Sequence, residues 1–188
     1  MSTKREQLLD TAERLFYAEG FHATGIDRLV RAAGTTRMTL YSHFPSKEAL
    51  IAEVLQRRNQ RFLTWLDEAV TASAPGGTTT ALVAAHNQWV AEQGQLGCIM
   101  VKAIGEYAAH SAPIHEAALQ AKRALHERLR AALTRDGLDG DSGLAERVYL
   151  VLEGTNSAIP VIGLEPVLDG AAAAIDALLN HHNRSAPA

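Results

Sequence analysis

Cysteine is almost absent: the 188 residues include one, Cys98. An intrachain disulfide is therefore excluded, and a thiolate zinc site would need ligands that are missing. Aromatic residues are sparse, at 5%. Long apolar runs are missing too. The longest, Ala81 to Ala85, Val148 to Leu152 and Ala171 to Ile175, reach five residues, against the ~20 that a spanning helix needs. Met1 to Gln7 holds no apolar stretch resembling a secretory signal. Eight histidines are scattered, and His86, His110, His115 and His126 include no pair at i, i+4 spacing. These absences predict a cytoplasmic, reduced protein with no membrane partner, no cofactor, no metal site and no catalytic residues, hence not an enzyme.

What is present is an ordinary globular balance of 47% hydrophobic and 21% charged residues. The net charge of −3 is unevenly spread. Residues 1–62 hold ten Lys or Arg against seven Asp or Glu, while residues 63–188 hold eight against fourteen. A small basic unit followed by an acidic body puts any polyanion at the N-terminal end.

Helical periodicity dominates. Leu8, Leu9, Ala12, Leu15 and Phe16 form one face of a helix over Thr3–Glu19, with Thr3 and Glu6 spaced as a capping box and Gly20 as its stop. Thr24 is the expected cap of a short second helix, with Asp27 three residues on and Ile26, Leu29, Val30 and Ala33 on its inner face. Gly34 breaks it. A third short helix is expected over Thr36–His43, capped by Thr35 and closed by Pro45, and Ser46 caps a long fourth that keeps its period almost to Pro75. Further helices are expected at roughly 79–92, 98–109, 113–135, 142–159 and 166–181, the last two parted by Pro160, Gly163 and Pro166. The tail from His181 should fray. No segment alternates as a strand does. The fold class is all-α.

Two short helices joined through the Gly34-Thr35 turn have the form of a helix-turn-helix. The second would enter a DNA major groove by its N-terminal side chains. Arg37 there suits bidentate pairing with guanine, and Thr36 suits a base edge or a thymine methyl. Tyr41, His43 and Lys47 cluster at the far end, beside the helix start after Ser46, where phosphate would be held. Arg28 and Thr24 are further candidates on the preceding helix. Leu15, Phe16, Phe21, Ile26, Leu29, Val30, Leu40 and Phe44 are assigned to a small core that the fourth helix completes.

The run from Thr24 to Leu50 strongly resembles the DNA-binding module of TetR-family transcriptional regulators. The resemblance rests on the Ala-Gly-Thr-Thr turn, then Leu40-Tyr41-x-His43-Phe44, then Ser46-Lys47-Glu48-x-Leu50, preceded by Leu15-Phe16, Gly20-Phe21 and Thr24-Gly25-Ile26. It implies a homodimer whose reading helices enter successive major grooves of a palindromic double-stranded DNA operator. By position, Thr35, Thr36, Arg37 and Met38 match the family's base-facing stretch, and Tyr41, His43 and Lys47 its phosphate contacts. Met38 stands where the family often has Gly or a small residue, which leaves it either outside the base contacts or against a thymine methyl.

The resemblance further implies a C-terminal helical domain that binds an unknown small-molecule effector and dimerises. On this division, residues 1–47 are the DNA-binding domain and residues 48–188 the effector and dimer domain of a regulator, a repressor. Gly97-Cys98-Ile99-Met100-Val101 with Ala103 and Glu106 resembles a segment of one subgroup, and Cys98 itself reads as a small buried hydrophobe. Trp65, Trp89, Met100, Tyr107 and His110 would line a cavity between helices, with Glu106 facing either water or a polar ligand. Two other classes stay open: a helical enzyme, against which stands the lack of a clustered catalytic set, and a dimeric scaffold that has lost DNA recognition, which would lack Arg37, Tyr41 and Lys47.

Overall fold

The computed structural model describes residues 3–138 and 143–185, with side chains placed as far as position 181. Every regular element among them is a helix: α1 (Lys4–Glu19), α2 (Ile26–Ala32), α3 (Arg37–His43), α4 (Lys47–Ala72), α5 (Thr78–Gln93), α6 (Ile99–Tyr107), α7 (Ala112–Arg135), α8 (Leu144–Ile162) and α9 (Leu164–Ser185). Residue 142, where the helix over 142–159 is expected to begin, lies outside the described residues.

The chain forms two compact units, Met1–Gln60 with Cys98–Lys122, and Arg61–Gly97 with Arg123–Ala188. In the first, α1 to α3, the start of α4, α6 and the start of α7 share one apolar cluster. Leu15, Phe16, Phe21, Leu29, Leu40 and Phe44 are buried there, with Ile26 and Val30 packed against them. Leu50, Ile51, Val54 and Leu55 of α4 close one side. Three short helices bury too little alone, and α6 adds Ile99, Met100, Ala103 and Tyr107 to the same cluster. A Leu→Ala change at such a site costs ~2–5 kcal/mol.

Local chemistry sets the helix ends. Thr3 and Glu6 make the capping box at α1. Gly34, at φ 59°, takes the left-handed turn after α2, and the Thr35 amide donates to the Val30 carbonyl at 3.0 Å. The Thr36 side chain, one residue later than expected, caps α3 by accepting from the Thr39 amide at 3.1 Å. The Ser46 hydroxyl accepts from the Ala49 amide at 3.1 Å at the start of α4. Thr24 does not cap α2: the cap is Gly25, with no side-chain hydrogen bond.

In the second unit, Leu66 of α4, Leu82 and Val83 of α5, Leu125 and Leu129 of α7, Leu144, Val148 and Leu152 of α8, and Ile175 of α9 form a second cluster. The Asp136 carboxylate caps α5 from a distance, accepting from the Thr78 and Thr79 amides at 3.0 and 2.6 Å. Two boundaries differ from expectation. α8 runs through Pro160 to Ile162 and ends at Gly163 (φ 100°), because a proline in the last turn forfeits one helical bond without forcing a stop. α9 starts at Leu164 with Pro166 in its first turn, where a missing N–H is no loss. It continues to Ser185, so His181 lies within a helix and not in a frayed tail.

Candidate nucleic-acid interface

The α2–turn–α3 pair presents its side chains in two groups. Leu29, Leu40 and Phe44 point into the core, while Thr36, Arg37, Met38, Tyr41 and His43 are exposed. Met38 is 82% exposed and Tyr41 is 47% exposed. Thr35 is half-buried in the turn. The stretch Thr35 to Met38 therefore forms the leading edge of α3, with Tyr41 and His43 further along the helix and Lys47 at the start of α4.

Lys47 is half-buried. Burial pushes its ammonium down from the ordinary lysine value, and the Glu48 and Glu106 carboxylates offset part of that loss. A partly desolvated cation at the first residue of a 26-residue helix lies beside the helix's own positive end, an arrangement that an anion relieves. Arg28 is exposed and pairs with Glu19 at 2.8 Å. Arg37 is held by Asp27 through two hydrogen bonds, Nε to Oδ1 at 2.7 Å and Nη2 to Oδ2 at 2.6 Å. Sequence reading took Asp27 only as a helix-start residue, because no short-range pattern marks a partner ten positions away.

Thr24 needs correction as a DNA contact. Its side chain is 0% exposed, and its hydroxyl donates to the Gly20 carbonyl at 2.7 Å. It joins the end of α1 to the start of α2 and offers nothing to solvent.

The residues expected around an effector fall into different units. Trp65 and Trp89 belong to the second, their ring centroids 6.3 Å apart, with Phe62 5.3 Å from Trp89 and the Trp65 indole donating to the Ala85 carbonyl at 2.9 Å. Met100, Glu106, Tyr107 and His110 belong to the first. Met100 and Tyr107 are buried in its core, and burial pushes the Tyr107 phenol up to about 12. The Glu106 carboxylate accepts from the Phe21 and His22 amides at 3.2 and 2.8 Å. The His22 ring stacks on Tyr107 at 4.8 Å and meets His110 edge-on at 5.4 Å. Lys102 donates to the Tyr17 carbonyl at 2.8 Å. Glu106, Lys102 and Tyr107 thus attach α6 to the end of α1 and the following turn. A polar pocket of about 180 Å³ in the second unit, between Thr79, Asp136 and Asp176, contains none of the six.

Among the described residues no helix is long and apolar enough to cross a membrane, and no group of three His, Cys, Asp or Glu is placed to hold a metal ion.

Comparison with known proteins bears on this geometry directly. The family model of bacterial regulatory proteins, tetR family, matches residues 8–54, the segment that holds most of α1, the helix pair and the Lys47 end of α4. A solved TetR-family transcriptional regulator from Streptomyces coelicolor superposes on 95% of the chain, and on 95% of its own, with a TM-score of 0.86 at 28% identity. The chain belongs to the TetR family. That family is one of transcriptional regulators and not of enzymes. YjdC, an HTH-type transcriptional regulator of Escherichia coli, is similar to this TetR-family chain over 163 residues at 28% identity, covering 84% of each. FasR, an HTH-type transcriptional activator of Mycolicibacterium smegmatis, is 37% identical over 67 residues, 36% of this chain. The match spans only 31% of FasR's own length.

Proposed function

We propose that the protein is a homodimeric, sequence-specific DNA-binding transcriptional regulator, controlled by a small molecule and acting in the cytoplasm as a repressor. Residues 1–47 read the operator, and residues 48–188 bind the effector and hold the dimer. Thr35, Thr36, Arg37 and Met38 face base edges; Arg28, Tyr41, His43 and Lys47 hold the phosphate backbone. The observation that carries this reading is the division of α3 and its two caps, with Leu40 and Phe44 buried in the core while Thr36, Arg37, Met38 and Tyr41 are exposed.

Dimerisation is supported by the apolar side chains that α8 leaves exposed. Leu150, Val161 and Ile162 are 69, 84 and 61% exposed, and Ala173, Ala174 and Ala177 of α9 are exposed as well. Two such helices pairing with their symmetry mates make an isologous four-helix interface. A dimer places two reading helices ~34–36 Å apart on one face of the duplex.

The effector acts by binding more tightly to the conformation that does not fit DNA. Trp65 and Trp89 remain the aromatic candidates for its site. α6 is the natural relay, since Glu106 fastens it to the turn that precedes α2 and Lys102 to the end of α1. Equal effector affinity with and without operator would refute the switch. The reading as a whole is tested by selecting bound duplexes from a random library with the purified chain. Enrichment of a two-fold symmetric site, with half-sites about one turn apart, is the expected result. Salt-sensitive binding with no enriched sequence would overturn it.

A further inference from the structure

Arg37 and Asp27 meet edge to edge. A guanidinium carries five N–H hydrogens in one plane. The pairing at 2.7 and 2.6 Å uses Nε and one hydrogen of Nη2, the two donors of one edge. Both hydrogens of Nη1 and the second of Nη2 remain. Those on the adjoining edge form a second parallel fork, the shape that meets N7 and O6 of guanine in the major groove. Both side chains lie open to solvent, at 64 and 62% exposure, so a duplex can approach that second edge without displacing the first.

Charge points the same way. A guanidinium already neutralised by a carboxylate is a poor phosphate clamp, since the carboxylate repels the same phosphate. What the pair retains is direction: the plane of the fork is fixed, and the rotamer freedom of a long exposed arginine is largely removed before binding. Arg37 holds the Asp27 carboxyl below the usual carboxylate range through its hydrogen bonds, against an opposing effect of desolvation, so the pair is ionised at neutral pH.

We propose that Asp27 is a specificity-determining residue that touches no base: it braces Arg37 so that the two act as one reading unit for a G·C pair in each half-site. The inference rests on α3 being the reading helix. It adds that a residue of α2 sets the selectivity of a residue of α3, across the left-handed turn at Gly34.

The test uses the full-length chain and the duplex that it selects from a random library, together with duplexes carrying each other base at the position that Arg37→Ala ceases to discriminate. Binding is read by fluorescence anisotropy at one fixed salt concentration. Wild type is expected to prefer guanine at that position by on the order of tenfold. Asp27→Ala and Asp27→Asn should narrow that preference to a few-fold and leave the other positions unchanged, and the Asp27→Ala, Arg37→Ala double variant should discriminate no worse than Arg37→Ala alone. The exposure of Asp27 makes both variants tolerable to the fold, and far-UV circular dichroism checks this. Unchanged preference in Asp27→Ala, with tighter binding to every duplex, would overturn the inference and leave Asp27 a simple electrostatic brake. A position other than G·C flattened by Arg37→Ala would overturn it too. Absence of any selected site with wild type would bring down the reading of α3 itself, and the inference with it.

Discussion

Replacing Glu13 by alanine takes a carboxylate away from a buried guanidinium. Glu13 on α1 is 8% exposed and Arg58 on α4 is 7% exposed, with Arg58 Nη1 donating to Glu13 Oε1 at 2.9 Å and Arg57 Nη2 to Oε2 at 3.1 Å. In the variant, Arg57 keeps Asp10, 2.8 Å from its Nη1. Arg58 loses the Glu13 carboxylate, and its contact with the face of Tyr17, 4.8 Å to the ring centroid, is not touched by the change. Breaking a buried pair costs ~3–5 kcal/mol, and the cation–π contact that survives, worth ~1 kcal/mol, sets the expected loss near the lower end. At ~2–4 °C per kcal/mol for a chain of this length, a loss of ~3 kcal/mol lowers the melting temperature by ~6–12 °C. Thermal unfolding followed by far-UV circular dichroism reads the shift. A second variant, Glu13→Leu with Arg58→Met, removes both charges and should recover most of the loss, since apolar replacement of a whole buried pair is often neutral. A single variant melting within ~2 °C of wild type, or a double variant worse than the single, would refute the reasoning.

Three further outcomes are expected. Lys47→Ala should weaken binding to all duplexes alike and reduce the slope of log affinity against log salt by ~1; a change in sequence preference instead would remove Lys47 from the phosphate contacts. Glu106→Ala leaves the Phe21 and His22 amides without their acceptor, at a cost of ~1–3 kcal/mol, and hydrogen exchange at those two amides should accelerate; unchanged exchange would mean that the contact holds nothing. Burial raises the Asp136 carboxyl, but the hydrogen bonds from Thr79 and Thr78 outweigh it and the net shift is downward. Asp136→Asn should therefore be destabilised relative to wild type at neutral pH, by a margin that shrinks only as pH falls below about 4; a margin that stays constant from pH 7 down through that range would show that the charge is not what caps α5.

The reading head was legible because its signals are local. Thr3 with Glu6, Gly20, Gly34, the Thr36 region and Ser46 each act on the backbone within four residues, and the apolar face of α1 repeats over its own length. Errors arose where two local rules competed. Thr24 has the chemistry of a cap and the position of one, yet its hydroxyl bonds back to Gly20, and the cap is the residue after it. Pro160 carries a stop signal that the last turn of α8 absorbs. What could not be read were contacts between residues far apart in the chain. Glu106 meets backbone 84 and 85 residues away, and Glu13 meets a side chain 45 residues away. No periodicity encodes such pairs. For the same reason, α6 gave no sign that it packs with the reading helices, although the sequence places a helix at roughly 98–109.

The central claim is that α3 reads base sequence through Arg37. Parallel selection from one random duplex library with wild type and Arg37→Ala tests it most directly. The account predicts a two-fold symmetric site for wild type, and for the variant the same site with one position per half-site flattened and the rest retained, a loss of ~1–3 kcal/mol of discrimination there. Identical selected sequences from the two proteins would contradict it.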